Sequence, residues 1–272
     1  MSAPVSLVVT DLDGTLWDRT TRIHPSTRDA LDRLEQAGIP VLVATARRAA
    51  TVRLLLSQND LVLPAVLLDG ALGRDLRTGE TFHRRTFPTD DGVAILDAFA
   101  RAGVEPCVNV VSPDDVDAVI GPNPSSDAEY LAFIGPWSRR GELADVVASG
   151  DVLSFTVYGV PLEVVEPVAG AVSAWGVATV AHDHQFGGHG ISVRTFGIDK
   201  WQGVDAFCRD RGIDDGAVLA IGDGDNDLEM LDHAHVACAI AGGSPNALAL
   251  ADHVIGPPEV GGWAGILDLV GL

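Results

Sequence analysis

Basic residues are scarce in this chain: 18 lysines and arginines stand against 38 aspartates and glutamates, a formal net charge of −20 at pH 7. A surplus of that size repels polyanions over any long range, so nucleic acid and anionic membrane surfaces are excluded as expected partners. A phosphate-bearing ligand would need a local cationic pocket or a metal ion to offset the field. Cysteine is scarce as well. Cys107, Cys208 and Cys238 are odd in number, far apart and without metal-ligand spacing, so they read as buried, reduced thiols of a cytoplasmic protein. No apolar stretch approaches the ~20 residues of a membrane span, and the N-terminus has no basic segment followed by an apolar one, so no targeting segment is expected. Internal repeats and low-complexity tracts are missing too. Yet 47% of the 272 residues are hydrophobic, which argues against disorder and suffices for one large domain or two of ordinary size.

Val5 to Val9 is a short β-branched run with little alternation, the pattern of a strand covered on both faces in a parallel sheet. Pro25 and Ser26 can start a helix with Ala30, Leu31 and Leu34 as its apolar stripe and Gly38 as its left-handed stop. "IPVLVAT" (39 to 45), a helix through about Leu56 and "AVLLDG" (65 to 70) continue a strand and helix alternation that predicts a parallel sheet with right-handed crossovers. From about Leu76 the texture changes. "RTGETFHRRTF" reads as a hairpin around Thr78-Gly79, a helix spans Thr89 to Ala102, and "EPCVNVV" and "VLSFTVYG" are strand-like, while "IGPNPSSDAEY" is too rich in turn formers to assign. After it a helix from about Asp199 to Arg211, the strand "AVLAIGDG", a helix opening near Asp225, the strand "VACAI" and a helix opening near Ser244 restore the rhythm. The expected fold is therefore α/β, a Rossmann-like parallel-sheet core of residues 1–78 and 192–272 carrying an inserted α+β domain of residues 79–191.

Ligands of open parallel sheets bind beyond the carboxyl ends of the strands. There the sequence places Asp11, Asp13 and Gly14-Thr15, then Thr45 and Arg47, then Asp69 and Gly70, then Asp223 with Asn226 and Asp227 close behind; Lys200 opens the helix before the last of these strands. Singly, each is an ordinary turn or cap residue. Together Asp11, Asp13 and Asp223 would raise one another's pKa, which implies either a shared proton or a bound metal, and all-oxygen ligation favours a hard ion, Mg²⁺ first.

These segments resemble the haloacid dehalogenase-like phosphohydrolases, specifically Cof-type members with a large α/β cap. "DLDGTL" (11 to 16), "ATAR" with Thr45, "GIDKWQGV" with Lys200 and "GDGDNDLEML" (222 to 231) are similar to the four motifs of that family in order and spacing, and "ADHVIGPPEVGGWAGIL" is similar to its closing segment. The resemblance implies a phosphatase acting on a small phosphorylated metabolite, sugar phosphates first. Asp11 would be the nucleophile and a metal ligand; Asp13 would lend its backbone carbonyl to the metal and its side chain as acid and base. Thr45 and Lys200 would complete the catalytic set by positioning and neutralising the phosphoryl group. Asp223 would be a further metal ligand, with Asp227 placed with the metal set but just outside it. Substrate contacts are expected from Gly14, Thr45, Ala46, Arg47, Asp69, Gly70, Lys200 and Asn226, Gly14 by turning the chain so that backbone N–H groups meet phosphoryl oxygens.

Two residues depart from the family pattern. Ala46 stands where glycine is usual, a strain of about 1 kcal/mol if the position needs positive φ, and Asp69-Gly70 stands where many relatives have Asn-Gly near the substrate. Elsewhere "AHDHQFGGHG" (181 to 190) suits a linker better than a zinc site, and His83, Arg84 and Arg85 suit a solvated hairpin face. The rival readings are a sugar phosphotransferase or phosphomutase, and a non-catalytic sugar-phosphate sensor. The assembly expected is a monomer or homodimer.

Overall fold

The structure, a computed structural model, describes residues 5–183 and 185–272. In chain order it begins with β1 (Leu7–Thr10), α1 (Pro25–Ala37), β2 (Val41–Ala44), α2 (Ala49–Gln58), β3 (Pro64–Leu67), β4 (Leu72–Asp75) and β5 (Thr81–Arg84). There follow α3 (Thr89–Arg101), β6 (Cys107–Val110), β7 (Ala118–Ile120), α4 (Ala128–Ile134), β8 (Ser138–Arg140), α5 (Leu143–Ala148), β9 (Val152–Val160), α6 (Leu162–Val172), β10 (Val177–His182) and β11 (His189–Arg194). The last part comprises α7 (Lys200–Arg211), β12 (Val218–Gly222), α8 (Leu228–His233), β13 (Val236–Ile240), α9 (Pro245–Leu250) and β14 (His253–Ile255).

Two units result. The first, up to Arg84 and from Asp199 onward, is built on one sheet in the order β14-β13-β12-β1-β2-β3-β4-β5. Its strands are parallel from β14 to β3, and β4 and β5 add an antiparallel edge. β1 and β2 are buried along their whole length, as their unbroken apolar runs require. Helices form where the sequence supplies caps: α1 has Pro25 at its first turn and Gly38 left-handed at φ 74 behind it, and the Ser244 side chain accepts from the Ala247 N–H to open α9. From β1 the chain steps outward through β2 and β3 on one side, and later through β13 and β14 beyond β12 on the other. The carboxyl end of β1 is thus a topological switch point, the place where such sheets form a crevice.

The second unit, Arg85–Ile198, has its own sheet in the order β10-β11-β9-β6-β7-β8 and its own core around Phe87, Phe99, Phe155, Val165 and Ile191. Two expectations change here. The hairpin strand Thr81–Arg84, expected in the insertion, pairs with β4 and completes the first sheet, which places His83 and Arg84 in that sheet. The described residues of 181–190 belong to the β10–β11 hairpin, with Ala181 opposite Gly190 and His182 opposite His189, because the polar and glycine-rich residues that suggested a linker suit a chain reversal equally well. His184, counted in that stretch, lies outside the described residues. In the unassigned stretch after β7, Asp127 caps α4 by accepting from the Glu129 N–H.

Candidate active site

Asp11 follows β1 directly, and its N–H donates to the Ile221 carbonyl of β12 at 2.9 Å, so strand pairing itself fixes where its side chain emerges. Below it lies Lys200, the first residue of α7 and fully buried. The Asp199 side chain caps α7 by accepting from the Gln202 N–H. The Lys200 Nζ donates to Asp11 Oδ1 at 2.7 Å and to Asp227 Oδ1 at 2.6 Å. Asp227 Oδ2 accepts from the backbone N–H groups of Asp223 and Gly224, both at 3.0 Å. Through these bonds Asp227 holds the lysine and the Asp223 loop in place. Only glycine fits at 222, since a Cβ there would lie 2.5 Å from Asp227 Cγ.

Asp223 leaves β12 and meets the first loop. Its Oδ1 accepts from Thr15 Oγ1 at 3.1 Å, and Gly14, left-handed at φ 77, passes so close that a Cβ would lie 2.7 Å from Asp223 Oδ2. The Gly14 N–H donates to the Trp17 carbonyl at 3.2 Å and closes the turn. Thr45 follows β2, is buried, and accepts the Arg47 N–H on its hydroxyl at 3.2 Å. Ala46 is not in the left-handed region, so its Cβ carries no strain.

Arg47, expected to contact the substrate, pairs here with Asp13. Its guanidinium grips Asp13 with two bonds, Nε to Oδ2 at 2.6 Å and Nη2 to Oδ1 at 2.8 Å, and Trp17 Nε1 adds a third to Oδ1 at 3.0 Å. The pairing reflects the fork geometry of guanidinium with carboxylate. Asn226, expected to face the substrate, donates to Asp69 Oδ1 at 3.2 Å, and Gly70 lies buried at the β3 corner. Sequence reasoning placed Thr15 at the end of the first strand but missed Trp17 as part of the site. The signal for Trp17 was position: it lies in the turn that Asp13 begins. It also missed Trp263, whose Nε1 donates to Thr10 Oγ1 at 3.0 Å while that hydroxyl bonds the Asp11 carbonyl, fastening the base of the loop.

The charges do not balance among these residues. Asp11, Asp13, Asp223 and Asp227 face Lys200 and Arg47, leaving two negative charges in excess. Burial, followed by the neighbouring Asp227 charge, pushes the Asp223 carboxyl up, and burial works the same way on Asp11 against the pull of Lys200. Burial also acts on Asp13, but the bond and charge of Arg47 outweigh it and hold that carboxyl below its ordinary range. Lys200 stays an ammonium because two carboxylates outweigh the cost of its burial. Asp11, Asp223 and Asp227 each offer an oxygen within 4.8 Å of the others. An oxygen-only donor set with two surplus negative charges fits a hard divalent cation.

Comparison with known proteins agrees with this arrangement. Residues 8–132 and 181–267 match the model of the haloacid dehalogenase-like hydrolases. A phosphoglycolate phosphatase of Methanopyrus kandleri is 28% identical over 251 residues, covering 92% of this chain and 90% of that protein. The 5-amino-6-(5-phospho-D-ribitylamino)uracil phosphatase of Bacillus subtilis is 26% identical over 253 residues, with 84% of each covered. Among solved structures, a subclass IIB sugar phosphatase superposes with a TM-score of 0.74 at 21% identity, covering 98% of this chain and 99% of that one. Motif order, a buried lysine between two carboxylates at the switch point, and the match across most of the chain lead to one conclusion: this protein belongs to the haloacid dehalogenase-like hydrolases.

Proposed function

We propose that this hydrolase is a Mg²⁺-dependent phosphatase that cleaves a small organic phosphomonoester, with sugar phosphates as the favoured class, through an aspartyl-phosphate on Asp11. The observation that carries the reading is the buried Lys200 bonded to Asp11, with Asp13 two residues further on. The Lys200 cation at 2.7 Å works against the burial that pushes the Asp11 carboxyl up, and so towards its ionised, nucleophilic form. Mg²⁺, when bound by Asp11, Asp223 and the Asp13 backbone carbonyl, would neutralise charge on the phosphoryl oxygens. Asp11 attacks phosphorus and the ester P–O bond breaks; Asp13, having taken up a proton, passes it to the leaving oxygen, which departs as an alcohol. Asp13 then removes a proton from water, the hydroxide attacks phosphorus, and the bond to Asp11 breaks to release inorganic phosphate. For the first of these transfers Asp13 must part from Arg47, and phosphoryl oxygens offer that guanidinium an alternative partner. Thr45 and Lys200 hold and neutralise the group meanwhile.

The unit Arg85–Ile198 is read as the cap that selects the organic part of the substrate. Phosphorylated small molecules are also what the similar proteins are named for, a phosphoglycolate in one and a phospho-ribitylamino compound in another. No helix among the described residues is long and apolar enough to cross a membrane. The test is phosphate release from a panel of metabolite phosphates, with Mg²⁺ or with EDTA, by wild type and Asp11→Asn. Metal-dependent release that falls to background in the variant is the expected result. Transfer of label to a sugar acceptor without free phosphate would favour the phosphotransferase, and tight binding without turnover would favour the sensor.

A further inference from the structure

Asp13 is held by two partners of opposite character. The Arg47 guanidinium reaches both carboxylate oxygens, Nε to Oδ2 and Nη2 to Oδ1, from a side chain open enough for water and ligand oxygens to compete for it. The Trp17 indole reaches Oδ1 alone and is fully buried, so water does not compete for its N–H. Trp17 is itself fixed on both sides. Its backbone N–H donates to the Leu12 carbonyl and its carbonyl accepts from the Gly14 N–H, both at 3.2 Å, which sets the indole against Asp13. Beyond it the chain closes a second turn, where the Asp18 N–H donates to the Arg22 carbonyl at 3.1 Å. Asn59, just after α2, ties that turn down: its Oδ1 accepts from the Ile23 N–H at 3.1 Å and its Nδ2 donates to the Thr21 carbonyl at 2.9 Å. The position of the indole thus comes from the fold, whatever Arg47 binds.

An indole N–H only donates, so the oxygen it holds must remain an acceptor. In a protonated carboxyl one oxygen carries the proton and the other accepts. Oδ1, kept by Trp17, is the accepting oxygen, and Oδ2, released when the Arg47 Nε turns elsewhere, is the one left to carry the proton. Given the phosphatase reading above, on which this inference rests, we propose that Trp17 is a positioning residue for proton transfer: it retains Asp13 by Oδ1 after Arg47 has moved to the phosphoryl oxygens, and so assigns the proton to Oδ2. In the first transfer the bond from Asp11 to phosphorus forms as the ester P–O bond breaks. The electron pair of that bond goes to the leaving oxygen, which takes the proton from Oδ2 while Oδ1 keeps its indole partner. Oδ2 then takes a proton back from the attacking water. Without the N–H, the carboxyl is free to turn about its own axis once Arg47 has left, and its two oxygens become equivalent.

The test compares p-nitrophenyl phosphate, whose leaving oxygen departs readily as an anion, with glucose 6-phosphate, whose leaving alkoxide needs the proton. Both are assayed in wild type and Trp17→Phe with Mg²⁺ present. The quantity read is kcat/KM, which covers the steps up to departure of the leaving group. Trp17→Phe keeps an aromatic ring and loses the N–H; it should lose about tenfold on glucose 6-phosphate and less than about threefold on p-nitrophenyl phosphate, a part of what general acid catalysis supplies. Disturbed packing lowers both substrates alike, so equal losses overturn the proposal. If Trp17→Phe does not fold, 3-benzothienylalanine at position 17, with sulfur in place of the indole N–H, takes its place with the same expectation. The bond is also read without turnover, from the NMR resonance of the indole N–H that disappears in Trp17→Phe. That resonance should move in Asp13→Ala and hold its position in Arg47→Met; equal movement in the two overturns the proposal. If wild type cleaves no ester, the phosphatase reading fails, while the resonance in Arg47→Met still decides whether Trp17 holds Asp13 unaided.

Discussion

Two cation and carboxylate networks meet at the end of β1, and they are built for different tasks. Lys200, with its side chain at 0% exposure, joins Asp11 and Asp227 beneath the loop, whereas Arg47 and Asp13, with side chains 23% and 47% exposed, face outward. The buried network cannot exchange partners without leaving a charge stranded in a low-dielectric interior. The outer one can, because water and ligand oxygens compete for both of its members. In the proposed mechanism, fixed electrostatics therefore sit behind Asp11, the nucleophile, and Asp13, which would gain and lose a proton, sits in front, where its partner can be replaced.

Lys200→Met should separate the two networks most sharply. It leaves Asp11 and Asp227 buried without their cation, so a loss of about 3–5 kcal/mol is expected in the urea midpoint analysis, with kcat/KM down by about 10²–10³-fold. Arg47→Met should cost under ~1 kcal/mol. Equal destabilisation by the two variants would show that the supposed difference does not exist.

Asp227→Asn comes next, because the amide can no longer serve Lys200 and two backbone donors at once. A loss of about 1–3 kcal/mol is expected, with Mg²⁺ affinity in activity titrations weakened by about 10–100-fold through the Asp223 loop. The outer network should respond to pH instead. Arg47 holds the Asp13 carboxyl below its ordinary value, so its contribution is present above the usual carboxylate range and disappears as pH falls through the lowered value. The stability gap between wild type and Arg47→Met should therefore be open at neutral pH and close in acid. A gap independent of pH would mean that Arg47 acts through packing.

The inner network was legible in the sequence and the outer one was not, for a physical reason. Asp11 follows a strand end, Lys200 opens a capped helix and Asp227 lies just past β12, and parallel sheets bring such positions together whatever the loops do. The grip of Arg47 on Asp13 depends on side-chain conformation in loops, and the role of Trp17 on one tight turn, neither of which a spacing encodes. Periodicity likewise marked the unbroken apolar strands of the first sheet, while β7 and β8, three residues each, are too short to show any period. The strand Thr81–Arg84 looked like part of the insertion because its half-exposed pattern is that of an edge, and it is the edge of the first sheet.

The smallest expected effect sharpens the comparison without any activity assay. Cys208 lies buried on α7, the helix that Lys200 opens, and burial pushes its thiol up to about 11. Cys238, on β13 of the same sheet, is pushed up to about 12 by burial and the nearby Asp252. Both should therefore resist iodoacetamide at pH 8 in the native protein, since the thiolate is the reactive form and reaches solvent only when structure opens. Peptide mass spectrometry reads each cysteine separately. Lys200→Met should speed labelling of Cys208 more than that of Cys238, because the opening begins at the helix that lost its buried anchor. Arg47→Met should leave both rates within about twofold of wild type, the change expected from a surface ion pair worth less than ~1 kcal/mol. A faster Cys208 in Arg47→Met would tie the outer network to α7 and make the two networks one mechanical unit.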